Sequence, residues 1–366
     1  MNKKLIAAAI AGAFVAPAAF AQNSTVQIYG LLNAEYGFYS QPNTAAGAGR
    51  SSVDALNSGA SRIGFRGQEK LGGGMTAFWQ CESDIRFLSG GAATSGNLCD
   101  RNSALGLRGS FGSFYIGTWD SPMKRVTGMT RITNETGWLG TQHMTMNANG
   151  AWGVNFSNRP AQTLNYDTPN FGGFSASIQT TTTNPGRGSN VIPTPKGRQT
   201  SLSGQYVQGP LVAAIGYSKF DDNRSNSAIA GLEDTGWSIG GAYTFGPVKV
   251  GLTYVDLETE TGVGASTERK SWNLAADWSL GGPHMVRLGY ARAGDAKTNA
   301  GGGANTGAKM LQVGYHHALS KRTSASVSYA RMNNDSAGTS VFTGVGGTVQ
   351  PGDDSSVFVL GLVHTF

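Results

Sequence analysis

Ten-residue segments with period-two alternation, connections that are by turns tiny and long, and 54 glycines against only 14% charged residues predict an all-β chain. The expected form is a transmembrane antiparallel β-barrel of sixteen strands. Residues two apart in a strand share a face, so alternating apolar and polar residues give one greasy face and one wet face. About ten residues is what a tilted strand needs to cross the hydrocarbon layer. Glycine inside a helix costs about 1 kcal/mol relative to alanine, so this composition disfavours an all-helical chain. It suits turns, bulges and curved sheets. A mean hydropathy of −0.22 also argues against a bundle of membrane helices.

The first element is MNKKLIAAAIAGAFVAPAAFA. Lys3 and Lys4 precede an apolar run that ends at the small-residue site Ala19-Phe20-Ala21. This is the layout of a secretory signal peptide over residues 1–21, cleaved before Gln22, and it leaves one domain, residues 22–366. A retained membrane helix is the other reading, but it needs roughly 20 apolar residues and no cleavage site. Removing the segment deletes two lysines and no acid, which takes the formal charge from +6 to +4. With no block of five or six basic residues, nucleic acid is not an expected partner.

The strands come next. TVQIYGLLNAEYGF sets Val26, Ile28, Leu32, Tyr36 and Phe38 on one face and Gln27, Asn33 and Glu35 on the other. SRIGFRGQ sets Ile63 and Phe65 against Arg62, Arg66 and Gln68. The pattern returns in WSIGGAYTF, VKVGLTYV, SWNLAADW, HMVRLGYA, MLQVGYHH and SASVSYA. Short connections such as LGGG, FGS and GGP alternate with long polar ones such as TTTNPGRGSNVIPTPKGRQ and AGDAKTNAGGGANTG. That alternation means antiparallel hairpins with one plain end and one decorated end.

A soluble sandwich would hide its apolar face, and the Gln, Asn, Ser and Arg of the polar face here are too hydrophilic for a dry core. Apolar outside and wet inside requires a closed ring, because lipid cannot satisfy an open strand edge. The last strand, SSVFVLGLVHTF, puts Phe358, Leu360, Leu362, His364 and Phe366 on one parity, facing lipid, and should pair with the first strand. Its other parity (Val357, Val359, Gly361, Val363, Thr365) is not polar either, so either side chains or a terminus should cover it from within. Cys81 and Cys99 flank the loop-like SGGAATSGN. A disulfide there would close roughly 17 residues and contribute about 3 kcal/mol; two unpaired thiols on neighbouring strands remain the alternative.

At this point the residues resemble a known family, the general porins of Gram-negative bacteria, of the type common in betaproteobacteria. The resemblance spans the mature chain and rests on VQIYGLLNA, SRIGFRGQEKLGGGMTAFWQCE, the stretch Asp100 to Gly109, GTWDSP, LNYDTPNFGGF and the closing GLVHTF. It implies a homotrimer in the outer membrane, in contact with lipid and lipopolysaccharide, with short turns in the periplasm, long loops outside and a third long loop folded inward. It implies that Phe366, with His364 and Leu362, is a signal for the barrel-assembly machinery. The chain departs from the family in carrying Asn33 and then Glu35 after the first-strand Tyr29-Gly30, and Val363 where Lys or Arg is common.

The longest connection, SPMKRVTGMTRITNETGWLGTQHMTMNANGAWG, holds more Met, Ile, Trp and Leu than a solvated loop would keep. It should pack against the inner wall and narrow the lumen. Its charges are Lys124, Arg125 and Arg131 against Glu135, and parity aims Arg62, Arg66 and Arg108 inward from the wall. Rings of Arg and Lys in a pore favour anions. These seven residues are the expected constriction, each arginine having as its alternative a wall salt bridge, such as Arg66 with Glu69, Glu82 or Glu35. Tyr29, Trp79, Trp119, Trp237, Trp272, Trp278 and Tyr290 are expected mostly in interfacial belts rather than as a sugar-binding stripe.

No enzyme is expected. There is no HExxH or GxSxG, His316 and His317 face opposite ways on one strand, and no cofactor or metal set is apparent. The expected function is passive diffusion of inorganic ions and small hydrophilic solutes, anions preferred. A solute-specific channel is the main alternative, and a barrel adhesin or outer-membrane enzyme a weaker one.

Overall fold

The computed structural model describes residues 25–42, 50–88, 98–130, 145–146, 156–183, 197–222, 231–342 and 349–366. Residues 1–21, the expected signal peptide, lie outside the described residues.

The strands are β1 (Thr25–Pro42), β2 (Arg50–Asn57), β3 (Arg62–Gly72), β4 (Met75–Asp84), β5 (Ser103–Gly109), β6 (Gly112–Thr118), β7 (Thr163–Asp167), β8 (Phe174–Thr181) and β9 (Arg198–Gln208). They continue as β10 (Leu211–Asp221), β11 (Glu233–Phe245), β12 (Val248–Gly262), β13 (Ala265–Gly281), β14 (His284–Ala293), β15 (Lys297–Thr298), β16 (Ala308–Ala318), β17 (Thr323–Asn334) and β18 (Ser355–Thr365). Helix α1 (Pro122–Thr130) follows β6. All eighteen ladder segments join one antiparallel sheet, and β18 returns to pair with β1, so the sheet is closed. Both β2 and β3 pair with β1 and together make one interrupted crossing, while β15 only extends the rim beside β13. Sixteen crossings remain, as expected.

The interruption between β2 and β3 is bridged by a side chain. Ser61 Oγ accepts from the Asn33 backbone N–H at 2.8 Å and donates to the Asn33 carbonyl at 3.2 Å. Closure is completed by the terminal residue, where Gly30 and Phe366 exchange backbone hydrogen bonds of 3.0 and 3.2 Å.

The two faces sort as alternation requires. The rung Leu252–Leu274–Tyr290–Leu311 lies on the outside, with Leu311 59% exposed. The rung Gln179–Ser201–Ser218–Gly236 lies on the inside, its polar members buried. Removed from lipid, the outer face would be an apolar patch far larger than a soluble monomer tolerates. The inner parity of β18 is covered by side chains rather than by a terminus. Val357 and Val359 pack with Tyr39, Met310, Ala330, Met332 and, from the loop before β18, Phe342.

One expectation needs correcting. Short and long connections do not alternate strictly, because β12 and β13 run to 15 and 17 residues and meet in a tight turn at the decorated end. Continued alternation through LETETG and ASTERK projects the hairpin itself where a loop would otherwise stand.

The lumen site

Helix α1 is the inward-folded part of the third long connection. It packs on inner-face positions of β9 to β12, where Met123, Val255 and Leu257 form a buried apolar cluster with Phe220, Phe156 and Met146. The wall is cut back to receive it. A Cβ at Gly216 would sit 2.9 Å from Met123 Cα, and one at Gly236 would sit 2.7 Å from the Phe156 ring. The Met123 N–H donates to Ser201 Oγ at 3.2 Å, and Gln179 donates to the Trp119 carbonyl at 3.1 Å.

Ion pairs fix the rest of the connection. Asp120 takes Lys124 at 2.7 Å, one helical turn on, and Arg159 from the far end of the connection at 2.9 Å. Its carboxylate and backbone also bond Asn102. Burial alone would raise the Asp120 carboxyl, but the charges of Lys124 and Arg159 outweigh it and hold the group below the usual carboxylate range. Arg125 makes a two-point contact with Asp167 on β7 at 2.9 and 3.3 Å, and the Tyr115 hydroxyl donates to the same carboxylate at 3.0 Å.

On the facing wall, the arginines divide into two kinds. Arg62 lies 3.6 Å from Glu82, a buried carboxylate that also takes Arg101 at 2.8 Å and the Tyr29 hydroxyl at 3.1 Å. Arg66 instead donates to the neutral Gln27 at 2.9 Å and lies 4.9 Å from the Tyr29 ring centroid. Arg108 donates to Ser113 at 3.3 Å and lies 4.7 Å from the Phe78 centroid. Both are exposed to the lumen, and no carboxylate pairs with either among the described residues. Together with Arg125 and Asp167 they line a cleft of about 500 Å³.

Of the seven expected constriction residues, Arg66, Arg108 and Arg125 therefore meet at this cleft. Arg62 and Lys124 are turned into structural ion pairs, and Arg131 and Glu135 lie outside the described residues. Glu82 does pair with a wall arginine, but with Arg62 and Arg101 rather than Arg66, because Arg66 and Gln80 face each other one rung away. Sequence reasoning missed Asp120, Asp167, Arg101 and Arg159. The signal available was the acid inside GTWDSP, four residues before Lys124 and so one helical turn from it; the acid inside LNYDTP has no basic residue near it in the chain.

Two aromatics also need correction. Tyr29 and Trp119 face the lumen, Tyr29 because it shares parity with Gln27, and Trp119 because it follows the end of β6 and packs edge-on against inward Tyr115 at 5.2 Å. Trp79, Trp237, Trp272 and Trp278 remain exposed on the outer face, as expected. Cys81 and Cys99 form a disulfide that closes the second long connection.

Similarity to known proteins agrees with this architecture. The chain is 29% identical over 385 residues to outer membrane porin protein 32 of Delftia acidovorans, covering 100% of both chains. It is 31% identical over 185 residues to the major outer membrane protein P.IB of Neisseria gonorrhoeae, covering 49% of this chain and 48% of that one. Among solved structures, the anion-selective porin from Comamonas acidovorans superposes with a TM-score of 0.77 at 26% identity, covering 94% of this chain and 100% of that chain. A family model described as Gram-negative porin matches residues 7–337. A closed sixteen-crossing barrel, a folded-in third loop and that match establish that the chain belongs to the Gram-negative porins, as an outer-membrane diffusion channel and not an enzyme.

Proposed function

We propose that the channel prefers anions and that Arg66 and Arg108 set the preference. The supporting observation is that, among the described residues, no carboxylate pairs with either of these two guanidinium groups in the cleft, whereas Arg62, Lys124 and Arg125 are neutralised by Glu82, Asp120 and Asp167. Unit charges 4 Å apart interact by about 4 kcal/mol at an effective dielectric near 20, so unbalanced charge in a narrow passage dominates ion choice. The solved anion-selective porin is in keeping with this sign.

A planar-bilayer reversal potential tests it. Replacing both Arg66 and Arg108 by Gln should reduce the anion-to-cation permeability ratio by roughly fivefold, equivalent to about 1 kcal/mol. Arg62→Gln should change it far less. An unchanged ratio in the double variant, or an equal loss from Arg62→Gln alone, overturns the assignment.

A sugar-binding stripe is disfavoured. The Tyr29 and Phe78 faces lie under guanidinium groups and Tyr115 is buried, which leaves half-buried Trp119, edge-on against Tyr115, rather than a run of open faces for a sugar to follow. The chain assembles as a homotrimer in this reading, with Phe366, Leu362 and His364 read by the assembly machinery, and residues 1–21 are removed on export. Unheated gel mobility against cross-linking reports the trimer, and N-terminal sequencing at Gln22 reports the cleavage.

A further inference from the structure

The short-turn rim carries a cluster that diffusion does not use. His284 opens β14 and His317 lies near the end of β16, directly opposite in register. They share the outer face with the exposed pair Leu288 and Val313, each four residues along its strand on the same parity, and Tyr315 lies between. The two Nδ1 atoms are 3.4 Å apart. The Tyr315 hydroxyl is 2.6 Å from His284 Nδ1 and 3.3 Å from His317 Nδ1.

We propose that His284, His317 and Tyr315 form a binding site for a borderline divalent transition-metal ion such as Zn²⁺ or Cu²⁺. Zinc binds imidazole nitrogen at about 2.0–2.1 Å with tetrahedral angles, which places two such nitrogens about 3.4 Å apart. The observed separation meets that bite without movement of either strand. Both rings present Nδ1 to one point, with Nε2 left to carry the ring proton. The Tyr315 hydroxyl, which hydrogen-bonds His284 Nδ1 at 2.6 Å, gives up that bond when the ion takes the nitrogen lone pair; it then turns to act as third donor or to hold a bound water, and solvent completes the set at this exposed position. Imidazole donors select zinc, copper or nickel over calcium and magnesium, which demand oxygen cages.

The adjacent His316 and His317 cannot supply such a site, because they face opposite sides of the wall. The cross-strand partner can. Among the described residues no three His, Cys, Asp or Glu side chains converge as a ligand set, so the site depends on two imidazoles and a phenol.

The test titrates ZnCl₂ and CuCl₂ into the untagged, purified channel in detergent near neutral pH. Calorimetry should give saturable binding of one ion per chain, and Cu²⁺ electron paramagnetic resonance should show coupling to two nitrogens. His284→Ala and His317→Ala should each abolish binding, Tyr315→Phe should weaken it about tenfold, and His316→Ala, on the opposite face of the wall, should not change it. CaCl₂ should not compete. Single-channel conductance of each variant checks that the barrel is intact. No saturable binding by the parent channel, or binding that survives both histidine substitutions, overturns the site.

Discussion

At the residue scale, the sequence shows which way a side chain points far better than what it meets. Period two aimed Arg62, Arg66 and Arg108 inward correctly, since each shares its parity with polar inner neighbours. It could not say that Glu82 would be shared by Arg62 and Arg101, because parity fixes the face a side chain takes but not which neighbour it reaches across the adjacent strands β3, β4 and β5. Asp120 is the residue most exposed to test. Its folded-state value is depressed, so its contribution to holding the third loop is complete above the ordinary carboxylate value near 4 and is lost as pH falls through the lower folded value. Acidification to about pH 4 should therefore leave the single-channel current quiet, with loop noise appearing only below that. Asp120→Asn should show the noise already at neutral pH, leaving Lys124 and Arg159 unpaired. A parent channel that becomes noisy well above pH 4 would contradict the ion-pair latch.

At the element scale, strands were legible because alternation survives in most of them, β18 with its apolar second parity excepted, and the long hairpin of β12 and β13 departed from expectation by having more alternation than a crossing needs. The fit of α1 was only half legible. Apolar residues in the third connection signalled packing, but Gly216 and Gly236 read as ordinary strand glycines until the helix is seen lying on them. Gly216→Val tests that fit, since its Cβ would approach backbone at Met123 that cannot step aside. The expected result is displacement of α1 from the wall, read as a changed conductance and new protease cleavage near Pro122 to Thr130. An unchanged current with full protease resistance would show that the close approach is not required. The disulfide acts on a different connection, where closing the loop contributes about 3 kcal/mol in the chain-entropy model.

At the scale of the whole molecule, closure governs both stability and biogenesis, because a barrel in lipid can leave no strand edge. The joint between β1 and β18 is long, running in register from Leu31–Thr365 to Ser40–Ser356, and the Phe366 ring lies over Gly30 at its end. Packing of Phe366 that helps the ring close is therefore separable from its proposed recognition during assembly. Phe366→Ala keeps the ladder and its backbone bonds with Gly30, so purified protein should still refold into detergent micelles with near-parental yield. If the ring is read by the assembly machinery, the same variant should nevertheless accumulate poorly in the outer membrane of cells. Heat-modifiable gel mobility measures both quantities. Equal loss in micelles and in cells would assign Phe366 to closure alone, and no loss in either would remove it from both roles.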